Sequence, residues 1–351
     1  MTRPMSSPAA LPLQAFALAA LTPPVLLVLG LAEGGLWAAA ALIYMTVLAL
    51  LLDQIIAATP GDAPQEAEFP AADALLVALA LAHLITLPLM VYAVAGPSGL
   101  PPLPRAALFL GAGLWFGQVS NPVAHELIHR GPRALYRLGV LVYATLLFGH
   151  HASAHRLVHH RHAASAQDPN TARIGEGFYR FALRAWTGSF AKGLQAENDL
   201  RAKGAKGLHP YLAYTGLAAA SLILGTLIAG WAGGLVWAGL AAHAQMQLLL
   251  SDYVQHYGLT RASLADGRLE PVAARHSWNA PFWFTSALML NAPRHSDHHA
   301  HPSRAYPALR LPTAAEAPML PWPLPLACTI ALIPPLWKRR IRPHLAPWRA
   351  G

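Results

Sequence analysis

Between Pro4 and Pro104 the chain carries not one lysine or arginine, and 24 of its 25 basic residues, all but Arg3, lie at Arg105 or beyond. Charged residues make up 12% of the sequence and hydrophobic ones 55%, against about 25% charged in a soluble domain. The long apolar runs that remain reach the roughly 20 residues needed to cross a bilayer. The expected fold is an all-α integral membrane protein with six transmembrane helices, built as one membrane-embedded domain over residues 1–351. The spans are expected near 9–31, 35–57, 72–95, 103–124, 211–230 and 233–253.

Breakers separate paired spans: Ala32-Glu33-Gly34-Gly35, Gly96-Pro97-Ser98-Gly99-Leu100-Pro101-Pro102 and Gly230-Trp231-Ala232-Gly233-Gly234, each read as a short hairpin turn. The first run sits where a signal peptide would, but it is long, holds Pro23-Pro24 and lacks a cleavage motif, so it reads as a retained span. Residues 134–149 are interrupted by Arg137 and too short to cross. They are expected as a buried or interfacial helix under the functional region. Residues 319–337 are broken by prolines and expected on the membrane surface.

With a cytoplasmic N-terminus, spans four and six both end in the cytoplasm. The basic residues of 130–210 then fall on the same side, as the positive-inside rule requires. The link between spans two and three would also be cytoplasmic, yet it carries Asp62, Glu66 and Glu68 and no base. Dispersed between membrane segments, the basic residues argue against nucleic-acid binding despite a net charge of +9. They suit anionic headgroups or an acidic partner protein.

All but His83 and His344 of the 18 histidines fall between positions 125 and 301. Nine form four clusters next to the apolar spans: His125/His129, His155/His159/His160, His256, and His295/His298/His299. On an α-helix, residues three or four apart share a face, so His125 and His129 are expected to point together, His155 and His159 likewise with His160 beside them, and His295, His298 and His299 as one set. Imidazole suits iron, copper, nickel and zinc. Zinc prefers four ligands; nine are too many for one ion and about right for two. His125-Glu-Leu-Ile-His129 also fits the zinc protease pattern, with Glu126 as base, but three further clusters would then be idle. A metal transporter would place its ligands mid-membrane rather than after helix ends. The cytoplasmic metal-bearing region is expected over 125–210 and 254–351. The one cysteine, Cys328, excludes an iron–sulfur cluster or four-Cys iron site within the chain, so electrons for redox chemistry must come from another protein.

These segments resemble the histidine boxes of the membrane-bound alkane 1-monooxygenases, within the wider membrane fatty acid desaturase/hydroxylase superfamily. The longest likeness runs from Arg294 to Tyr306, Arg-His-Ser-Asp-His-His-Ala-His-Pro-Ser-Arg-Ala-Tyr. His125-Glu-Leu-Ile-His-Arg130, Asp168-Pro169, Gly175-Glu176, Tyr253-Val-Gln-His-Tyr-Gly-Leu259 and His276-Ser-Trp-Asn279 extend it over about residues 118–310. The resemblance implies two non-haem irons held by His125, His129, His155, His159, His160, His256, His295, His298 and His299. It further implies hydroxylation of the terminal methyl of medium-chain alkanes to primary alcohols, with O2 and with electrons from rubredoxin and its reductase, at the cytoplasmic side of a bacterial inner membrane. Fatty acyl desaturation, or methyl hydroxylation of an alkyl-arene or terpene, is the alternative outcome on the same scaffold. The chain departs from the family pattern at Ala154, Asp252 and Gln255, where Glu, Asn and Glu are usual.

Carboxylates and other polar groups around ligating imidazoles orient them. Glu126, Asp252, Gln255, His276, Asp297 and His301 are expected in that role, whereas His150, His151 and His162 read as structural. His83, inside span three, is expected to hydrogen-bond within the bundle. Trp37 and Tyr44 in span two are the candidate walls of a substrate channel.

Overall fold

The structure, a computed structural model, describes residues 10–64 and 66–349. Their regular structure is helical, joined by irregular segments, with only isolated β-bridges and no strand among them. Helices α1 (Leu13–Glu33), α2 (Gly35–Ile56) and α3 (Ala72–Ala95) are each long and apolar enough to cross a membrane. Residue 9, the expected start of the first span, lies outside the described residues. Helix α4 runs over residues 102–128, with a π-helical turn at Phe116–Ser120. Short α5 (Arg133–Thr145) packs against the end of α4, where a Cβ on Gly139 would sit 2.8 Å from the Ala124 carbonyl oxygen. This is the helix expected under the site.

The link acidic in sequence is tied to the histidine-bearing end. Buried Arg294 donates to Asp62 Oδ1 at 2.6 Å and to the carbonyls of Pro60 and Gly61. Asp62 is thus the counter-charge of a buried arginine one residue before the last histidine cluster.

Helix α6 spans residues 151–162 and contains a second π turn, His155–His159. Helix α7 (Phe178–Ala202) follows. Helix α8 (Pro210–Gln255) would be about 69 Å long if straight, more than twice the hydrocarbon thickness. It is broken at Ala229 (φ −148°) and Gly230 (φ +61°), and its arms fold back on each other. An ideal Cβ on Gly233 would lie 2.0 Å from the Gly225 carbonyl oxygen. The break matches the expected glycine-rich turn. Gly233→Ala is expected to push the arms apart and destabilise the protein by roughly 1–3 kcal/mol, whereas Gly216→Ala, whose Cβ meets nothing within 4 Å, does not. Thermal unfolding of the two variants in detergent checks this.

Beyond α8 lie α9 (Trp283–Leu288), α10 (His295–Ala300), α11 (Leu324–Ala331) and α12 (Pro334–Leu345). The 319–337 stretch is not simply laid on a surface: α11 buries Leu324, Ala327 and Ala331, and Cys328 faces a cavity shared with α8. In α3, His83 is fully buried. The Thr145 hydroxyl donates to the Val142 carbonyl, so His83 Nε2, 2.9 Å away, donates to Thr145 Oγ1.

Candidate metal centre

The end of α4 carries His125 and His129, the π turn of α6 brings His155, His159 and His160, the C-terminus of α8 supplies His256, and α10 supplies the rest. Backbone anchors fix the approach of α10. The Asn279 side-chain oxygen accepts from the N–H and hydroxyl of Ser296, and Arg294 is held as described. The nine rings converge: His125 and His129 stay paired, as α-helical spacing predicts, but the other two sets are split. One group holds His125, His129, His155, His160 and His298; the other holds His159, His256, His295 and His299. His155 and His159 therefore diverge. A π turn bonds i to i+5, so His155 shares a face with His160, their Nε2 atoms 2.9 Å apart, and His159 swings to the other group. The last cluster is divided too: His295 and His299 enter one group, His298 the other.

Every close approach is between Nε2 atoms. His160 Nε2 lies 3.2 Å from that of His129, 2.9 Å from His155 and 3.2 Å from His298, and His125 lies 2.8 Å from His155. In the second group His295 lies 2.9 Å from His256 and 3.1 Å from His299, which lies 3.2 Å from His159. Hydrogen bonding does not account for this, because a neutral imidazole has one proton to donate and His160 faces three partners through one nitrogen. Two nitrogens at right angles on a first-row metal, each about 2.1 Å from it, are about 3 Å apart. The arrangement is that of two coordination shells made only of nitrogen.

The rings are set up as neutral donors. Burial pushes His125 and His256 down to about 3, and lowers His129, His155, His160, His295, His298 and His299 as well. No proton then has to leave before a metal binds. His159 is the exception. Burial lowers it, but the charge and hydrogen bond of Asp168 raise it further than burial lowers it.

Among the described residues Asp168 is the one carboxylate bonded to a ring of either group: its Oδ2 lies 2.8 Å from His159 Nδ1 and accepts from the Thr171 hydroxyl at 2.7 Å. Among the described contacts the side chains expected to orient the rings bond elsewhere, although the Asp252 charge helps raise His159 and the His276 backbone bears on His256. Glu126 accepts from Arg130 and from the Tyr306 N–H, tying α4 to the chain after α10. Asp252 accepts from Asn170 Nδ2 at 2.6 Å. Gln255 donates to the Ala292 carbonyl. His276 is held by the Ala273 N–H and Glu270. Asp297 binds Arg304, His301 and the Arg310 N–H, and His301 is half exposed at 53%.

A cavity of about 60 Å³ abuts both groups, lined by His125, His155 and His295 with Pro122, Tyr143 and Leu248 among the others. A second, of about 110 Å³, adjoins it between α4, α8 and α11. Both share Gly117, Ser251 and Met289. Neither Trp37 nor Tyr44 lines them. Trp37 is 48% exposed, and Tyr44 donates to the Ala19 carbonyl and packs edge-on against Phe284. The two cavities beside the rings are bordered by α4, α8 and α11, not by α2.

The fatty acid desaturase family profile matches residues 98–327, which contain all nine rings. The chain is similar to alkane 1-monooxygenase 1 of Pseudomonas aeruginosa, 31% identical over 333 residues, covering 91% of this chain and 86% of that protein. It is similar to alkane 1-monooxygenase 2 of the same organism, 32% identical over 246 residues, covering 69% of this chain and 65% of that protein, just under two thirds of its length. It is also similar to the hydroxylase component of a xylene/toluene monooxygenase of Pseudomonas putida, 30% identical over 258 residues, 70% of this chain and 66% of that protein.

Proposed function

The chain belongs to the alkane 1-monooxygenases of the fatty acid desaturase family, and from that premise we propose that it hydroxylates the terminal methyl of medium-chain alkanes. The overall change is R–CH3 + O2 + 2 e⁻ + 2 H⁺ → R–CH2OH + H2O. The observation that carries this reading is the pair of buried, all-imidazole groups beside a cavity with an apolar wall. Two irons fit them: burial favours the neutral form of every ring but His159, no carboxylate belongs to either group among the described residues, and imidazole suits iron. The five rings of one group and the four of the other would each hold one iron, and the pair would supply the activation of O2 that no side chain provides. The protein holds the rings, keeps water away, and presents the methyl from the Pro122, Leu248 and Met289 side.

Rubredoxin is the proposed electron donor, with its reductase, and the net positive charge suits an acidic partner. Six crossings with a cytoplasmic N-terminus are proposed, in a bacterial inner membrane. That topology is supported by the hairpin in α8 and by the Asp62–Arg294 contact, which ties the link between α2 and α3 to the histidine-bearing end.

The deciding assay supplies the iron-loaded protein in membranes with O2, reduced rubredoxin, and octane, a fatty acid or an alkyl-arene in turn. Octanol from octane is the expected product. A desaturated acyl chain with no alcohol from octane would overturn the proposal. A benzylic alcohol made faster than octanol would instead favour methyl-arene hydroxylation, the second reading, which the likeness to the xylene/toluene enzyme supports. Met289, shared by the two cavities, narrows the route. Met289→Trp is expected to cut turnover of long alkanes at least tenfold relative to short ones, about 1.4 kcal/mol, with iron content unchanged. Rates across an alkane series measure it.

A further inference from the structure

The cavity that abuts the rings has a polar wall as well as an apolar one. His151, Asn121, Ser251, Asp252 and Gln255 line it beside His125, His155 and His295. Two atoms on this wall are polar groups that the protein itself leaves unused.

The first belongs to His151. This ring is in neither group, and the sequence reads it as structural. It is buried, lies nearly parallel to Phe148 at 5.3 Å and stands edge-on to Tyr143 at 5.0 Å. A phenylalanine would serve that packing equally well, so the nitrogens need another account. Nδ1 is sealed from solvent and has no partner among the described residues. Nε2 has no protein partner there either, but it is not sealed, and the cavity beside the rings is the space this side chain lines. A proton on Nδ1 would be a buried donor with nothing to meet, which is costly. The ring therefore carries its proton on Nε2 and presents it to the cavity.

The second belongs to Asn121. Its Nδ2 donates to the carbonyls of Gly117 at 3.1 Å and Ala244 at 2.9 Å, which spends both amide hydrogens. Oδ1 is left without a partner among the described residues, yet not sealed, on a residue only 5% exposed that lines the same cavity. A donor and an acceptor on one wall match a group that accepts and donates through a single atom, and a hydroxyl is such a group. A bare hydrocarbon satisfies neither.

We propose that the cavity beside the rings is a hydroxyl site. A medium-chain primary alcohol enters it hydroxyl first, accepting from His151 Nε2 and donating to Asn121 Oδ1. Its chain runs past Met289 into the second, contiguous cavity. Terminal hydroxylation makes that group at that place, so the product competes with the next alkane. The inhibition half of this inference rests on the oxygenase reading; the binding half does not.

The test uses the purified, iron-loaded, full-length protein with 1-octanol, heptyl methyl ether and nonane, which match in heavy atoms. The first accepts and donates, the second only accepts, and the third does neither. Wild-type protein is expected to bind octanol about tenfold more tightly than nonane, with the ether between, each hydrogen bond contributing about threefold. Ligand-induced thermal shift across a concentration series reads this. His151→Phe keeps the ring and removes the donor. It is expected to bring the ether down to nonane and to weaken octanol about threefold, with iron content unchanged. Equal binding of octanol and nonane by the wild-type protein, as when a water alone satisfies the pair, overturns the proposal without any variant. Iron lost from His151→Phe would make the ring a ligand and overturn it too. Turnover separates the two readings. Octane hydroxylated with octanol no better a competitor than nonane sinks the hydroxyl site and leaves the oxygenase standing. Octanol preferred in binding by a protein that oxidises no octane supports the hydroxyl site and sinks the oxygenase.

Discussion

Purified His160→Ala protein is expected to hold about one iron per chain where the wild type holds about two, and to retain less than about a hundredth of its turnover, the upper end of the loss caused by disturbing a ligand's partner alone. His160 Nε2 approaches three of the four other Nε2 atoms in its group, so its removal opens the centre of that shell rather than an edge. Pairs of variants test the division of rings directly. His155→Ala added to His160→Ala falls within one group and is expected to cost little more iron. His159→Ala added to His160→Ala strikes both groups and is expected to remove nearly all of it. Iron analysis by mass spectrometry reads each outcome. If His155 and His159 instead shared one metal, the double variants would show the reverse pattern, and the π turn would be irrelevant to ligation.

That division marks where the sequence stops being legible. His-x-x-x-His-His offers two faces, one with period four and one with period five, and nothing local selects between them. The choice is made by tertiary packing, which places α6 between the end of α4 and α10 and accepts the wider turn. The carboxylates next to the rings in sequence make their hydrogen bonds elsewhere for a related reason. Glu126, Asp252 and Asp297 are close to the rings in sequence, but a helix sends neighbouring side chains in different directions. Asp297 is drawn to Arg304 and the Arg310 N–H, and Glu126 to Arg130. Asp168 lies nine residues from His159, in a loop that turns back, and its signal was present: Asp-Pro-Asn-Thr is turn chemistry, and its Oδ1 accepts the Asn170 N–H at 3.0 Å.

The membrane helices were readable because length and the absence of charge are one-dimensional properties. The break at Ala229–Gly230 was readable because glycine tolerates the positive φ found there. Rotation about a helix axis was not readable. A span apolar on every side has no stripe to say which face is inward, since lipid is as apolar as the protein interior. Trp37 and Tyr44 were expected to face a channel on residue type alone. The cavity beside the rings is lined instead by Gly117, Leu248 and Met289, where small and flexible residues leave space.

Replacing Asp168 by Asn isolates the carboxylate that bonds the His159 ring. Burial by itself would raise this carboxyl, but the charge and hydrogen bond of His159, with the Thr171 hydroxyl, hold it at about 2. A depressed carboxyl contributes stability above its unfolded value and loses it as pH falls through the folded value, so the Asp168–His159 pair persists through neutral and mildly acid pH. Asn keeps the shape and removes the charge. It also cannot serve the existing contacts, because Asp168 accepts on both sides, from His159 and Thr171 at one oxygen and from the Asn170 N–H at the other. Whichever way the amide turns, its NH2 meets a donor. His159 then loses the partner that fixes its tautomer with Nε2 free to bind metal. Iron affinity in the four-ring group is expected to fall about 10- to 100-fold, with turnover following it, while the five-ring group keeps its metal. Titration of the iron-free protein, with the bound metal counted at each step, separates the two sites. Wild-type affinity at both sites in Asp168→Asn would mean that ring orientation comes from packing alone.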